Sequence, residues 1–177
     1  IDRPAIVKNL VGGDSQVVHS NCYPKQFGCT SEGVVKYDYD PEKSKKLMEE
    51  AGYPIGFEFD FYAYRDRPYA EAIVNYLHEV GLRAKLNFMK YSALRERYRG
   101  RKVPVAFWTW GSNSIYDVSA IVGNWFEHTG DDVIRDPKLL EYLKKGDMSI
   151  DSEVRKENYK KALQLIAEKC YTVPLFT

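Results

Sequence analysis

The chain has 177 residues, of which 44% are hydrophobic and 14% aromatic, enough to bury a sizeable core and too apolar for a disordered segment. Lys and Arg number 26 against 25 Asp and Glu, a formal net charge of +1, so no global attraction to nucleic acid or to an anionic membrane exists. No apolar run approaches the roughly 18 residues that a membrane-spanning helix needs.

The predicted elements begin with a short helix. Asp2 caps it, Pro4 suits its first turn, and Gly12-Gly13 end it. Residues 14–39 show no periodicity and form a long loop that contains Cys22 and Cys29. Asp40-Pro41 opens a second helix that closes at Gly52. Phe57, Phe59, Phe61 and Ala63 alternate with polar residues, which predicts a strand with its odd positions facing a core. Asp66-Arg67-Pro68 starts the next helix, with Ala70, Ile73, Leu77 and Val80 on one face. Ala84, Leu86 and Phe88 mark a second alternating strand, and Ser92 is expected to cap a charged helix through about Arg99. The near-continuous apolar run over residues 103–110 reads as a third strand covered on both faces. Three helices follow: one from Asp117 to Phe126, one from Asp136-Pro137 to Gly146, and a long one from Asp151 or Ser152 to about Lys169. The start at Ile1, without Met, and the apolar end over residues 173–177 read as a segment of a longer protein.

Strand, helix, strand, helix, strand predicts an α/β fold, a mainly parallel sheet flanked by helices with right-handed crossovers. In such sheets ligands sit beyond the carboxyl ends of the strands. Those ends are Tyr64-Arg65-Asp66, Tyr91-Ser92 and Trp110-Gly111-Ser112-Asn113, expected on one rim. Trp110 is a candidate binding platform. Trp108, two residues earlier, points the same way on a period-2 strand, so one of the two lies deeper in the core. Arg65 either clamps a carboxylate in bidentate geometry or pairs with Asp66 at the surface. Asp117 is either a helix cap or a ligand contact, and Trp125 reads as core.

The rim holds no nucleophile–base pair, and the chain has no phosphate-binding glycine loop. His19, His78 and His128 are scattered, and His19 with Cys22 and Cys29 lacks a fourth metal ligand at recognisable spacing. The expectation is therefore no catalytic residue, no metal and no cofactor. The basic run over residues 95–102 is read as a solvated helix face. Cys22 and Cys29 pair in an oxidising compartment and stay free in a reducing one; spacing alone leaves both open, and Cys170 stands apart.

Several motifs, in order, resemble the second lobe of the oligopeptide/dipeptide/nickel-type bacterial extracellular solute-binding proteins. They are Ile1-Asp2-Arg3 with Gly12-Gly13, Tyr39-Asp40-Pro41-Glu42-Lys43 with Ala51-Gly52-Tyr53-Pro54, Val80-Gly81-Leu82, Trp110-Gly111, Asp136-Pro137-Lys138-Leu139-Leu140, and Val173-Pro174-Leu175. The resemblance implies a type II periplasmic-binding-protein lobe, with residues 1–177 forming the C-terminal lobe of a bilobal receptor. It also implies a periplasmic or cell-surface location, delivery of solute to an ABC permease in the membrane, and closure against a missing first lobe; no enzymatic step is implied. Candidate ligand contacts are Tyr64, Arg65, Trp108, Trp110, Ser112, Asn113 and Asp117. Peptide-binding relatives carry an Asp for the peptide amino group where this chain has Asn113. That departure puts an oligosaccharide or a metal chelate beside a peptide as possible solutes. The implied compartment favours the Cys22–Cys29 disulfide. The rival readings are an α/β enzyme using the same strand ends and an interaction module using the long loop.

Overall fold

Side-chain caps written into the sequence start four of the helices in the computed structural model, which describes residues 1–111 and 115–177. Asp2 accepts from the Ala5 amide at 2.9 Å and opens α1 (Arg3–Ile6), which continues as a π-helical turn over Val7–Val11. Asp40 accepts from the Lys43 amide at 2.8 Å and opens α2 (Pro41–Glu50). Asp136 opens α6 (Pro137–Asp147) and Asp151 opens α7 (Ser152–Glu168) in the same way. Each cap satisfies amides that the first turn leaves without partners and contributes about 1 kcal/mol. The remaining helices are α3 (Arg67–His78), α4 (Tyr91–Arg99) and α5 (Ser119–Phe126).

The elements sort into two compact units. The strand unit comprises Ile1–Asp14 and Asp38–Thr109; the helical unit comprises Ser15–Tyr37 and Trp110–Thr177. The strand unit holds a parallel sheet of β1 (Phe57–Ala63), β2 (Leu82–Phe88) and β3 (Val105–Ala106), ordered β2-β1-β3. Register runs from Phe57↔Leu82 to Ala63↔Phe88 on one side and through Phe61↔Val105 on the other. Phe61, Ala63, Ile73, Ala84, Leu94 and Phe107 are buried in this unit. In the helical unit, α5, α6 and α7 bury Val122, Phe126, Leu139, Leu143, Tyr159 and Ile166 against one another. The long loop packs onto the same core through Cys22 and Val34. Each fully buried aliphatic side chain contributes roughly 1.5–3 kcal/mol.

Two expectations need correction. The apolar run over residues 103–110 is a strand only at Val105–Ala106. Its partner β1 ends at Ala63 and swings through Asp66, in the left-handed conformation (φ 51°), into α3, so residues 108–110 have no strand to pair with. Pro104 also lacks an N–H for the ladder. Likewise, α4 starts at Tyr91, one residue before Ser92: Lys90 is extended, and its carbonyl already accepts from the Leu94 amide at 3.0 Å. The odd positions of β1 are also buried only in its second half, because Phe57 is exposed.

Gly56 and Gly81 precede β1 and β2 and start the pairing. A Cβ on Gly56 would fall 1.8 Å from the Gly81 carbonyl oxygen, and Gly56 has φ +72°. Gly56→Ala is expected to destabilise the fold by at least about 2 kcal/mol, because backbone must move and a left-handed residue gains a side chain. Chemical denaturation should show a lower midpoint with an unchanged slope.

Candidate functional site

The parallel register delivers three aromatic rings to the carboxyl end of the strand unit. Tyr64 leaves β1 directly after Ala63, Tyr91 follows β2 as the first residue of α4, and Trp108 stands two residues beyond β3. Their ring centroids are mutually close: Tyr64–Tyr91 5.1 Å, Tyr64–Trp108 5.5 Å and Tyr91–Trp108 6.0 Å. Tyr98 closes on Trp108 from α4 at 5.5 Å, edge-on. The Tyr64 hydroxyl lies 2.7 Å from the Thr109 hydroxyl, which also accepts from the Arg65 guanidinium at 3.3 Å. Arg65 lies over the Tyr64 ring at 5.4 Å, and Arg95 over the Tyr91 ring at 5.9 Å. The rim is therefore an aromatic floor edged by guanidinium groups. It can stack a planar or apolar group and offer paired N–H donors to a carboxylate. Arg65 takes Thr109 and Tyr64 as its neighbours rather than the sequence-adjacent Asp66.

Tyr98 and Thr109 were not among the sequence candidates, whereas Tyr91 was expected on the rim as a strand-end residue. Tyr91, Arg95 and Tyr98 fall at i, i+4 and i+7, so one face of α4 carries all three; that spacing was the available signal. Trp108 belongs to the rim, with no strand period linking its direction to that of Trp110.

Trp110 and Asp117 lie in the helical unit. Trp110 keeps 36% of its surface exposed and meets Trp125 edge-on at 6.1 Å. Trp125 packs, partly buried, against the helical core. The Asp117 carboxylate is engaged: one oxygen accepts from the Ser119 amide at 3.0 Å and the other from Arg155 at 2.7 Å. Arg155 also donates to the Tyr159 hydroxyl at 2.9 Å and to the Gly146 carbonyl at 3.3 Å. Tyr159 in turn donates to Asp147 at 2.6 Å. Ser112 and Asn113 lie outside the described residues. Cys22 and Cys29 are joined by a disulfide with their Cα atoms 5.7 Å apart, and Cys170 is an exposed thiol. Among the described residues no group of three His, Cys, Asp or Glu side chains is placed to hold a metal ion, and no helix is long and apolar enough to cross a membrane.

Comparison with known proteins places these features. The family model described as bacterial extracellular solute-binding proteins, family 5 Middle, matches residues 1–132. The di/tripeptide-binding protein 1 of Pseudomonas aeruginosa is 23% identical over 99% of this chain and 35% of its own length. The HbpA2 structure from Haemophilus parasuis superposes with a TM-score of 0.90 at 23% identity, over 99% of this chain and 37% of that one. The dipeptide-binding protein of Pseudoalteromonas sp. SM9913, solved with Met-Leu, gives 0.89 at 20% identity, again over 99% and 37%. The chain thus spans about a third of the length of these proteins, and the likeness gives it the α/β fold of type II periplasmic binding proteins.

The helical unit carries a built-in pH dependence. Burial, followed by a hydrogen bond to and repulsion from Asp147, raises Glu127 from its ordinary 4.5 to about 8, with Lys144 opposing. One oxygen of that carboxyl is buried with no hydrogen-bond partner. Between about 4.5 and about 8 the folded protein holds a proton that the unfolded chain has released. Stability from this group is full at the acid end and is lost as pH rises through that window. Urea unfolding at pH 5 and pH 8 should show that decline in the native sequence, and Glu127→Gln should flatten it.

Proposed function

The chain belongs to family 5 of the bacterial extracellular solute-binding proteins, and from that membership we propose that it forms one lobe of an extracytoplasmic receptor that captures a peptide-like solute for an ABC importer. The observation that carries this reading is the convergence of Tyr64, Tyr91 and Trp108 beside Arg65 at the carboxyl ends of parallel strands. An aromatic floor accepts an apolar side chain or a peptide plane, and the guanidinium fork accepts the solute's carboxylate. The exposed Trp110 indole is a further stacking surface. Relatives named for di- and tripeptide binding support the solute class. The Cys22–Cys29 disulfide fits an oxidising compartment.

Binding, rather than conversion, is the proposed chemistry. Family and fold are those of receptors, and the Tyr64 and Thr109 hydroxyls of the rim bond to each other. Residues 1–177 are proposed to be the second lobe of a two-lobed receptor whose first lobe completes the enclosure, a reading supported by the chain's spanning only about a third of its relatives' length. An oligosaccharide would use the aromatic floor equally well but gives Arg65 nothing anionic to bind; Arg65 favours the peptide.

The test is a binding series on the full-length receptor with dipeptides carrying either a free or an amidated C-terminus. Amidation should weaken binding roughly tenfold to a hundredfold, the worth of a charge-assisted hydrogen bond of about 1.5–3 kcal/mol. Arg65→Ala should weaken the free-acid form by a similar factor and abolish the distinction between the two. Equal affinity for both forms in the native receptor removes Arg65 from the site. Binding of oligosaccharides and not of dipeptides replaces the solute class.

Trp110→Ala should reduce affinity while leaving the melting temperature of the unliganded protein close to that of the native receptor, which calorimetry checks directly. Unchanged affinity removes Trp110 from the site.

A further inference from the structure

Thr109 ties the chain beyond the third strand to the chain beyond the first. The pairing Tyr62↔Ala106, carried on by the Phe107 amide donating to the Tyr62 carbonyl at 2.8 Å, would set Thr109 opposite Arg65 if the ladder continued. The ladder stops, and side chains take over the link. The Thr109 hydroxyl lies 2.7 Å from the Tyr64 hydroxyl and accepts from Arg65 Nη1 at 3.3 Å. The Tyr64 hydroxyl is also within 3.4 Å of the Thr109 carbonyl. Arg65 in turn lies over the Tyr64 ring at 5.4 Å. Hydroxyl, ring and guanidinium thus hold one another within the strand unit. An exposed Arg samples many rotamers, and that freedom is lost when its fork meets a carboxylate. A guanidinium already held at one nitrogen has less to lose, because the ordering cost falls on folding rather than on binding. The chemistry of the holder matters as well. Asp66 is next to Arg65 in sequence, yet Arg65 hydrogen-bonds to a neutral hydroxyl. A neutral acceptor orients the guanidinium and leaves its charge undiminished, whereas a carboxylate in the same place competes with the one the solute brings.

We propose that Thr109 is a positioning residue that holds the Arg65 guanidinium over the Tyr64 ring, fully charged, and thereby strengthens the receptor's preference for a solute with a free carboxylate. This rests on the solute-binding reading above. Thr109 acts through Arg65 and not by touching the solute. Only one of the five N–H donors of a guanidinium goes to Thr109, so the fork keeps donors for a carboxylate.

The experiment uses the full-length receptor with the dipeptide Ala-Phe and its C-terminal amide as probes, and measures both affinities by calorimetry. Thr109→Val keeps the shape of the side chain and removes the acceptor. The free acid should then bind about fivefold more weakly and the amide within about twofold of native, so the preference shrinks. Thr109→Ala should do the same and serves as the second variant where valine disturbs the fold. Thr109→Ser keeps the hydroxyl and should restore most of the preference. In the Arg65→Ala background, Thr109→Val should change neither affinity, because its effect passes through a side chain that is gone. Unchanged free-acid binding in both the valine and the alanine variants overturns the proposal. An equal loss for both probes marks general packing and overturns it, as does a serine variant no better than valine. A further loss in the Arg65→Ala background makes Thr109 an independent contact and also overturns it. A native receptor that binds neither probe overturns the solute class beneath the proposal, a result distinct from all of these.

Discussion

Parallel pairing of three strands in one register is the constraint on which the rest of the strand unit depends. Strands that run the same way leave the sheet at the same edge, and crossovers through α3 and α4 carry the chain back to start each new strand. That geometry brings Tyr64, Tyr91 and Trp108, spread over more than forty positions of sequence, to ring separations of 5.1–6.0 Å. Tyr91 sits in the first turn of α4, while Tyr64 and Trp108 follow one and two residues after the ends of β1 and β3. The two glycines before β1 and β2 belong to the same constraint, since neither strand could start in register if Gly56 carried a side chain.

The helical unit is held by different physics. Its core is the aliphatic and aromatic seam of α5, α6 and α7, onto which the long loop is pinned by Cys22, Val34 and the disulfide. Arg155 joins Asp117, Tyr159 and Gly146, and Tyr159 passes the network to Asp147. Half-buried ionic groups of this kind add little net stability but fix geometry, because each alternative arrangement leaves a charge without its partner. Burial raises the Tyr159 hydroxyl far above its usual range, which keeps it a neutral donor to Asp147 at any physiological pH. Asp117, weighed from sequence as a cap or a ligand contact, spends its carboxylate on Ser119 and Arg155.

Local chemistry was legible in the sequence and long-range partnership was not. Asp2, Asp40, Asp136 and Asp151 could be read as caps because each bonds an amide two or three residues away. The alternation of β1 and β2 predicted strands, and the β-α-β-α-β order predicted their parallel sense. The run over residues 103–110 was over-read because an apolar stretch does not reveal where its partner strand stops; β1 turns away at Tyr64, and the ladder ends with it. Three of the four rim aromatics, Tyr64, Tyr91 and Trp108, were visible at or near the strand ends. Tyr98 and Thr109 were not, since one reaches the rim through a helix face and the other through a hydroxyl pair. Gln26, which donates from the long loop to the carbonyls of Ile115 and Asp117, carried no local signal, because those partners lie about ninety residues away. The cysteine spacing allowed a bond without requiring one, and only proximity of 5.7 Å between the Cα atoms distinguishes the two states.

The most direct measurement is a crystal structure of the full-length receptor with a dipeptide bound. Density should place the dipeptide's carboxylate within about 3 Å of the Arg65 guanidinium, with a side chain or peptide plane against Tyr64, Tyr91 and Trp108. A dipeptide held elsewhere, with those three rings and Arg65 facing bulk water in the closed receptor, contradicts the assignment of the strand-end rim as the solute site.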